Sequence, residues 1–108
     1  MRRFLMQEMS TALEYAEGGG QALHVHTLTG RHRLFSKYHE IAHLFDRDEE
    51  RLIMTAKRLG VQVIKVERRG EREQHIDLCG MPFIKALGEC TRDGQWDQAM
   101  RDIQEKLL

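Results

Sequence analysis

The segment His39-Glu40-Ile41-Ala42-His43 has the residue types and the spacing of the zinc-binding motif HExxH. On a helix, the two histidines lie one turn apart on the same face and can bind one zinc ion, while the glutamate acts as general base on the metal-bound water. On a strand, His39 and His43 are roughly 13 Å apart, which is too far to share one ion. The local backbone therefore decides whether this segment can act as a zinc metallopeptidase.

Two structures compete for the segment around this motif. A single helix over residues 36–59 would place the charged run 46–51 in the middle of its apolar face. A strand followed by a helix from Asp48 to Leu59 uses the same acidic run as a helix start, because carboxylates cap and stabilise the positive end of a helix. Gly60 then ends that helix. The second structure agrees with each local signal, so the sequence predicts that residues 39–43 are extended.

His43, His75 and Asp77 form a second group with metal-binding chemistry. In the favoured structure, His43 and the pair His75-x-Asp77 each end a strand, and strand ends are where α/β sheets place ligands. Two imidazoles and a carboxylate at one sheet edge could bind a divalent metal such as zinc, with His39 as a further ligand, or perform acid–base catalysis. A buried histidine hydrogen-bonded to an aspartate explains the same residues without a metal.

Other polar residues could add to these sites. His24 and His26 share one face of a predicted strand. They join the cluster if that strand lies beside the strand that carries His43. Otherwise they form the more solvent-exposed face of an edge strand. Two basic groups could contact phosphates, namely Arg31, Arg33 and Lys37 with Tyr38, and Arg68, Arg69 and Arg72. Basic and acidic residues number 17 each, so net charge does not support a nucleic-acid partner and solvated loops explain the basic residues more simply.

The N-terminal residues predict a helix over 3–17 that three glycines separate from the rest of the chain. We therefore divide the chain into an N-terminal helix with a glycine linker, residues 1–20, and a small domain, residues 21–108. An amphipathic helix needs a partner for its apolar face, so we expect a homo-oligomer that associates through the terminal helices. The apolar stripe is Leu5, Met9, Ala12 and Ala16, with Leu13 beside it.

The rest of the chain predicts an α/β domain, or an α+β one, with a small mixed sheet of about four strands, flanking helices and extra helices at both ends. Segments 22–28, 61–66 and 75–79 have strand patterns in addition to the strand that carries His43. Residues 61–66 give the clearest of them, and a helix between two strands predicts a right-handed parallel crossover. Pro82 begins a short helix that Gly88 ends, and Asp93 caps a C-terminal helix. Its stripe is Trp96, Met100, Ile103 and Leu107.

At 108 residues, the chain is long enough for one core and one domain. It contains no apolar run of membrane-spanning length and no visible signal peptide, so we expect a cytoplasmic protein without membrane association. Cys79 and Cys90 lack the CxxC spacing of zinc or redox pairs and are expected to be reduced, partly buried thiols.

Several segments occur in the order that a known family shows. They are His43-Leu44 at a strand end, Leu52 and Ala56 in the following helix, Leu59-Gly60-Val61, then His75-Ile76-Asp77 and Ala86-Leu87-Gly88. Through them, residues from about 22 to 89 resemble a small bacterial and phage family known as domain of unknown function 4031. The resemblance implies a small α/β fold and carries no established activity. Thr27-Leu28 stand where that family usually has acidic residues.

A second, local resemblance covers residues 31–45. The segment Arg31-His32-Arg33-Leu34-Phe35 before the HExxH residues is similar to the approach to this motif in zinc peptidases of the ImmA/IrrE kind. Three functions stay open from the sequence. They are a metal-dependent hydrolase or phosphate-ligand site built on His43, His75 and Asp77, an HExxH zinc metallopeptidase, and a non-catalytic binding or accessory module that self-associates.

Overall fold

A computed structural model of the protein describes residues 1–27 and 40–92. His39, the basic residues between positions 31 and 37 with Tyr38, and the C-terminal helix predicted from Asp93 onward lie outside these ranges. None of the described helices is long and apolar enough to cross a membrane.

Four strands form one mixed sheet in the order β1-β2-β3-β4, in which β1 and β2 are parallel and the other neighbours are antiparallel. The strands are β1 (Arg2–Phe4), β2 (Ala22–Thr27), β3 (Glu40–Phe45) and β4 (His75–Cys79). The helices that flank them are α1 (Met9–Glu17), α2 (Glu49–Leu59) and α3 (Gly80–Arg92). The predicted small mixed sheet with flanking helices is confirmed, and the fold is α+β.

The N-terminal helix is shorter than predicted. Residues 2–4 form β1 and pair with β2, Met6–Glu8 form one turn of 3-10 helix, and α1 begins only at Met9. The backbone at Leu5 is extended, and its N–H donates to Oε1 of Glu8 at 2.7 Å, which marks the change from strand to helix. Phe4, which the helix prediction included, is buried from β1 against Ala12, Leu13 and Ala16 of α1.

Residues 61–66 do not form the predicted strand. Val63 is 85% exposed, and the other apolar residues of this segment are only partly buried against the core. Directly after this segment, Glu67 forms an isolated antiparallel β-bridge with His75, the first residue of β4. Because residues 61–66 form no strand, the parallel crossover predicted through α2 is wrong; β3 instead pairs antiparallel with β4, and the parallel pair is β1 with β2.

The predicted helix after β3 is confirmed. Asp48 is its N-cap, and its Oδ1 accepts a hydrogen bond from the backbone N–H of Arg51 at 3.1 Å. Gly60 ends α2 in the left-handed region at φ 88°, a conformation that glycine adopts without strain. In α3, Pro82 lies in the first turn as expected, but the helix passes through Gly88 and continues to Arg92 because its buried face extends beyond that glycine to Cys90.

The turn between β3 and α2 is held by Asp46, whose side chain is fully buried. Its two carboxylate oxygens accept hydrogen bonds from the guanidinium group of Arg51 at 2.7 and 2.8 Å. Gln21 donates to Oδ2 at 3.0 Å, and the backbone N–H of Asp48 donates to Oδ1 at 2.9 Å. This network fixes the end of β3 relative to α2 and to the start of β2.

The two faces of the sheet pack against different helices. One face packs against α2 and α3 and forms the larger core, whose sheet residues are Leu23, Val25, Ala42, Leu44, Ile76 and Leu78. On the opposite face, α1 covers only the end that contains Ala22 and Phe45. Beyond α1, the opposite face carries histidines and Asp77. Of the two free cysteines, Cys79 is exposed and Cys90 is buried in the larger core.

Candidate metal centre

Five side chains from three neighbouring strands share the sheet face opposite α2 and α3. They are His24 and His26 of β2, His43 of β3, and His75 and Asp77 of β4, and we call them the histidine face. Their common side follows from the period of two along a strand and from the register, in which His43 pairs with His24 on one side and with Asp77 on the other. Antiparallel pairing thus brings together residues that are far apart in sequence.

The four imidazole rings of the histidine face form a continuous row. Ring centroids are 4.5 Å apart between His24 and His26, 4.5 Å between His26 and His43, and 4.3 Å between His43 and His75. Neighbouring rings meet at angles between 70° and 86°, so each presents its edge to the next. Phe45 packs beside the row at 5.8 Å from His43 and 5.4 Å from His75.

Asp77 lies at the centre of the polar contacts at one end of this row. Its Oδ1 is 2.5 Å from Nδ1 of His43 and 3.3 Å from Nε2 of His75. One ligand atom from each of the three residues lies within 4.8 Å of the others, so His43, His75 and Asp77 form a group that could hold a metal ion. Ligand atoms around a tetrahedral zinc ion are about 3.4 Å apart, so small side-chain movements would suffice to fit one.

The tautomer of His75 is set by the backbone. Its Nδ1 lies 2.6 Å from the carbonyl oxygen of Glu73, and a carbonyl can only accept, so Nδ1 carries the proton. In the neutral ring, Nε2 therefore has the free lone pair and faces Asp77. A backbone carbonyl behind a histidine ligand is the usual arrangement in metal sites, because it fixes the ring and makes the ligating nitrogen more basic.

The polar contacts shift the acid–base behaviour of this group. Hydrogen bonds from His43 and His75 hold the pKa of Asp77 well below its usual range, so its carboxylate is ionised at neutral pH. Burial lowers the pKa of His75, but the hydrogen bonds to Asp77 and to the Glu73 carbonyl outweigh burial and leave the pKa raised. The cluster therefore combines a carboxylate with an imidazole that protonates readily.

The two histidines of β2 differ in burial, because His24 is buried and His26 is half-buried. His24 is 1% exposed, and its Nε2–H donates to the carbonyl oxygen of Met6 at 2.9 Å. Nδ1 of His24 and Nε2 of His26 are buried and have no hydrogen-bond partner within residues 1–27 and 40–92. Burial lowers the pKa of both rings, and together with the charges of His43 and His24 it lowers the pKa of His26 to about 4. Both rings are neutral at pH 7, which is the form that binds metals.

The group of three is open to solvent on one side. The side chain of Asp77 is 58% exposed, whereas those of His43 and His75 are 24% and 13% exposed. Asp77 also lines a surface groove whose other walls are residues 60–63 and 79–82. Water and small solutes can therefore reach the carboxylate of Asp77, while Phe45 packs beside the rings of His43 and His75.

The structure brings His43, His75 and Asp77 together, but not by the predicted route. His43 lies inside β3 and the other two lie at the start and in the middle of β4, so they meet across antiparallel strands and not at a shared end of parallel strands. The possibility that the strand of His24 and His26 neighbours that of His43 is realised. No residue type pointed to the Glu73 carbonyl or to Phe45 beside the rings, although the alternation along residues 22–28 and 75–79 indicated which residues of each strand share a face.

Residues Glu40 to His43 belong to β3, so they do not form the helix that the HExxH peptidase hypothesis requires. This confirms the extended prediction for these residues and removes the backbone on which a zinc peptidase would present the motif. His39 lies outside the described ranges.

Arg68, Arg69 and Arg72 do not form a free phosphate-binding patch. Arg68 pairs with Glu71 and Glu73, Arg69 with Glu49, and Arg72 with Glu17. Each guanidinium group is therefore matched by at least one carboxylate at the protein surface, as expected of solvated loops.

No family model, no curated protein and no solved structure matches this chain. The resemblances to domain of unknown function 4031 and to ImmA/IrrE-type peptidases therefore stay predictions from the sequence, and the function has to be argued from the histidine face itself.

Proposed function

We propose that this chain binds a divalent metal ion through His43, His75 and Asp77 and uses the ion to activate water for hydrolysis. One observation carries the proposal, namely that ring nitrogens of both histidines lie within 3.3 Å of the same carboxylate oxygen of Asp77. Two imidazoles and one carboxylate form a ligand set that suits zinc, manganese and iron.

An ion at this position would replace a proton. Nδ1 of His43 carries the proton that faces the ionised Asp77, and with an ion in that position the neutral ring would carry its proton on Nε2 instead. Because Asp77 stays ionised to low pH, only the imidazoles compete with the metal for protons. Binding should therefore strengthen as the pH rises through the raised pKa of His75.

The open side of the cluster supports catalysis rather than a purely structural ion. Three protein ligands leave at least one coordination position for water, and a bound divalent ion lowers the pKa of that water towards neutrality. The exposed carboxylate of Asp77 and the groove beside it give a substrate access to that position.

A non-catalytic binding or accessory module is the second candidate, and a specific observation favours it. Nδ1–H of His43 donates to Oδ1 of Asp77, and Nε2–H of His75 donates to the same oxygen when that ring is protonated, so the cluster is satisfied without a metal. Under this alternative, the three residues fix the register of β3 against β4, and the protein acts through its surface, including self-association.

Thermal unfolding of wild type and His43→Ala, each with zinc, manganese or a chelator, separates the two candidates. If the site binds metal, an ion at 100 times its Kd should stabilise wild type by about 2.7 kcal/mol, and His43→Ala should lose that effect. Cys79→Ser is the control, since Cys79 is an exposed thiol on the same face that could bind zinc adventitiously. Wild-type melting that is the same with metal and with chelator would rule out the metal site.

Hydrolysis is tested with two activated model substrates, p-nitrophenyl acetate and bis-(p-nitrophenyl) phosphate. We expect turnover that requires metal, stops with chelator and is abolished by Asp77→Asn. Saturable metal binding without turnover of either substrate would favour the binding module.

A further inference from the structure

We infer that His26 is a fourth ligand of the metal ion, so that the complete ligand set is three imidazoles and one carboxylate. This inference rests on the proposed metal site of His43, His75 and Asp77. It also restricts which ions can support chemistry there.

The first argument is the unsatisfied nitrogen of His26. Its Nε2 is buried and has no hydrogen-bond partner among the residues that the structure describes. A buried polar atom without a partner costs roughly 1 to 3 kcal/mol, so natural structures usually supply a partner, a water or an ion. A metal ion beside the ring would provide that missing partner.

The second argument is the position of the ring. His26 lies on the same sheet face as His43, with the ring centroids 4.5 Å apart at an interplanar angle of 80°. His43 is also 4.3 Å from His75, so three imidazoles follow one another without a gap. Rings that share a tetrahedral ion have centroids about 5 Å apart, so this spacing is close to that of a bound set.

Small rotations have to complete the site. The group within 4.8 Å consists of His43, His75 and Asp77, so the nitrogens of His26 are not yet inside it. Nε2 of His26 makes no hydrogen bond among the described residues that would hold it in its present position. By contrast, Nε2 of His24 is held by the Met6 carbonyl, so a rotation that turns Nε2 towards the ion breaks a described hydrogen bond in His24 and none in His26.

A fourth protein ligand changes the expected metal chemistry. Zinc is usually tetrahedral, so three imidazoles and a carboxylate would fill its coordination and leave no position for water. An ion that accepts six ligands, such as manganese, keeps two positions open. We therefore expect zinc to bind tightly and give little hydrolysis, and manganese to bind more weakly and support it.

His26→Phe is the test variant, because phenylalanine keeps the ring packing against His43 and removes the nitrogen. Calorimetric titration with zinc alone and with manganese alone should show affinity at least about tenfold weaker than wild type. His24→Phe is the matched control, since it also removes a buried imidazole from β2, and its affinity should stay within about threefold. Affinity in His26→Phe equal to that of wild type would overturn the inference.

Nitrogen-15 spectra of the wild-type histidine side chains give a readout that needs no variant. We expect zinc to shift Nε2 of His26 together with ring nitrogens of His43 and His75, and to leave the two nitrogens of His24 in place. If only His43 and His75 shift, the proposed metal site stands and His26 is not a ligand. If no histidine shifts and calorimetry detects no binding, the proposed function itself fails, and the inference fails with it.

Discussion

Nδ1 of His43 lies 2.5 Å from Oδ1 of Asp77, although the two residues are 34 positions apart in the chain. They are direct partners in the antiparallel pairing of β3 and β4, so the contact depends on the register of these two strands. A shift by one residue would turn one of them towards the opposite face of the sheet. The register, which the larger core fixes through Ala42 and Leu78, therefore also assembles the polar cluster.

Asp77→Asn should lower the pKa of His75 in metal-free protein. Burial lowers this pKa, and the hydrogen bonds to Asp77 and to the Glu73 carbonyl raise it, so removal of the carboxylate charge lets burial dominate. Proton NMR titration of the imidazole Cε1–H with chelator present measures the change. Glu71→Gln is the control, because Glu71 is an exposed carboxylate that pairs with Arg68, and it should leave His75 as in wild type. An unchanged His75 titration in Asp77→Asn would contradict the contact.

Local signals in the sequence were sufficient for the elements that carry the site. The acidic start of α2 and Gly60 at its end predicted that helix, and with it the extended backbone before it, because caps act within a few residues. The β-branched run at 61–66 misled the prediction, because strand propensity cannot show whether a neighbouring strand edge is reached. The pairing of β4 with β3 is a tertiary choice, and it left Val63 exposed.

The candidate site could be predicted in its members but not in its geometry. Period two along β2 placed His24 and His26 on one face, and the histidine–aspartate spacing in β4 did the same for His75 and Asp77. The order of the strands in the sheet places His43 between these two pairs, and local sequence patterns do not determine that order. The Glu73 carbonyl that orients His75 is a backbone group, and no residue type signals it.

Metal-free protein should lose stability as the pH falls from about 6.5 to about 4. The pKa of His26 is about 4 in the folded chain, while an unfolded histidine has a pKa near 6.5, so the unfolded state binds a proton in this window that the folded state excludes. His24 acts in the same direction, since burial lowers its pKa too. His75 acts oppositely: its raised pKa adds stability below about 6.5 that is lost as the pH rises through its folded value.

Denaturant unfolding of wild type and His26→Phe between pH 4 and 7, both with chelator, isolates the contribution of His26. The difference in the free energy of unfolding should move in favour of the variant as the pH falls, and the change should level off below about pH 4. Curves that stay parallel over the whole range would show that His26 is not held neutral by the fold.

Asp46→Ala should destabilise the protein by about 3 kcal/mol, because it removes a buried carboxylate that accepts four hydrogen bonds, two from Arg51, one from Gln21 and one from the backbone of Asp48. Asp48→Ala is the matched control two residues later, where an exposed N-cap is lost at a cost of about 1 kcal/mol. Urea unfolding of both variants measures the difference. Equal losses would mean that the buried network adds nothing beyond the helix cap.

Leu13→Ala should destabilise the protein by about 2 to 3 kcal/mol at every protein concentration. Leu13 is 6% exposed and packs with Phe4 and Phe45 within one chain, so its apolar contacts do not require a second copy. Met6→Ala is the control on the same N-terminal segment, and it should cost little because Met6 is 46% exposed. Chemical unfolding at two protein concentrations a hundredfold apart, with sedimentation velocity at both, provides the measurement. A cost of Leu13→Ala that grows with concentration, or a wild-type mass that doubles while the variant stays monomeric, would place Leu13 in the homodimer contact that the sequence predicts and not in the core of the single chain.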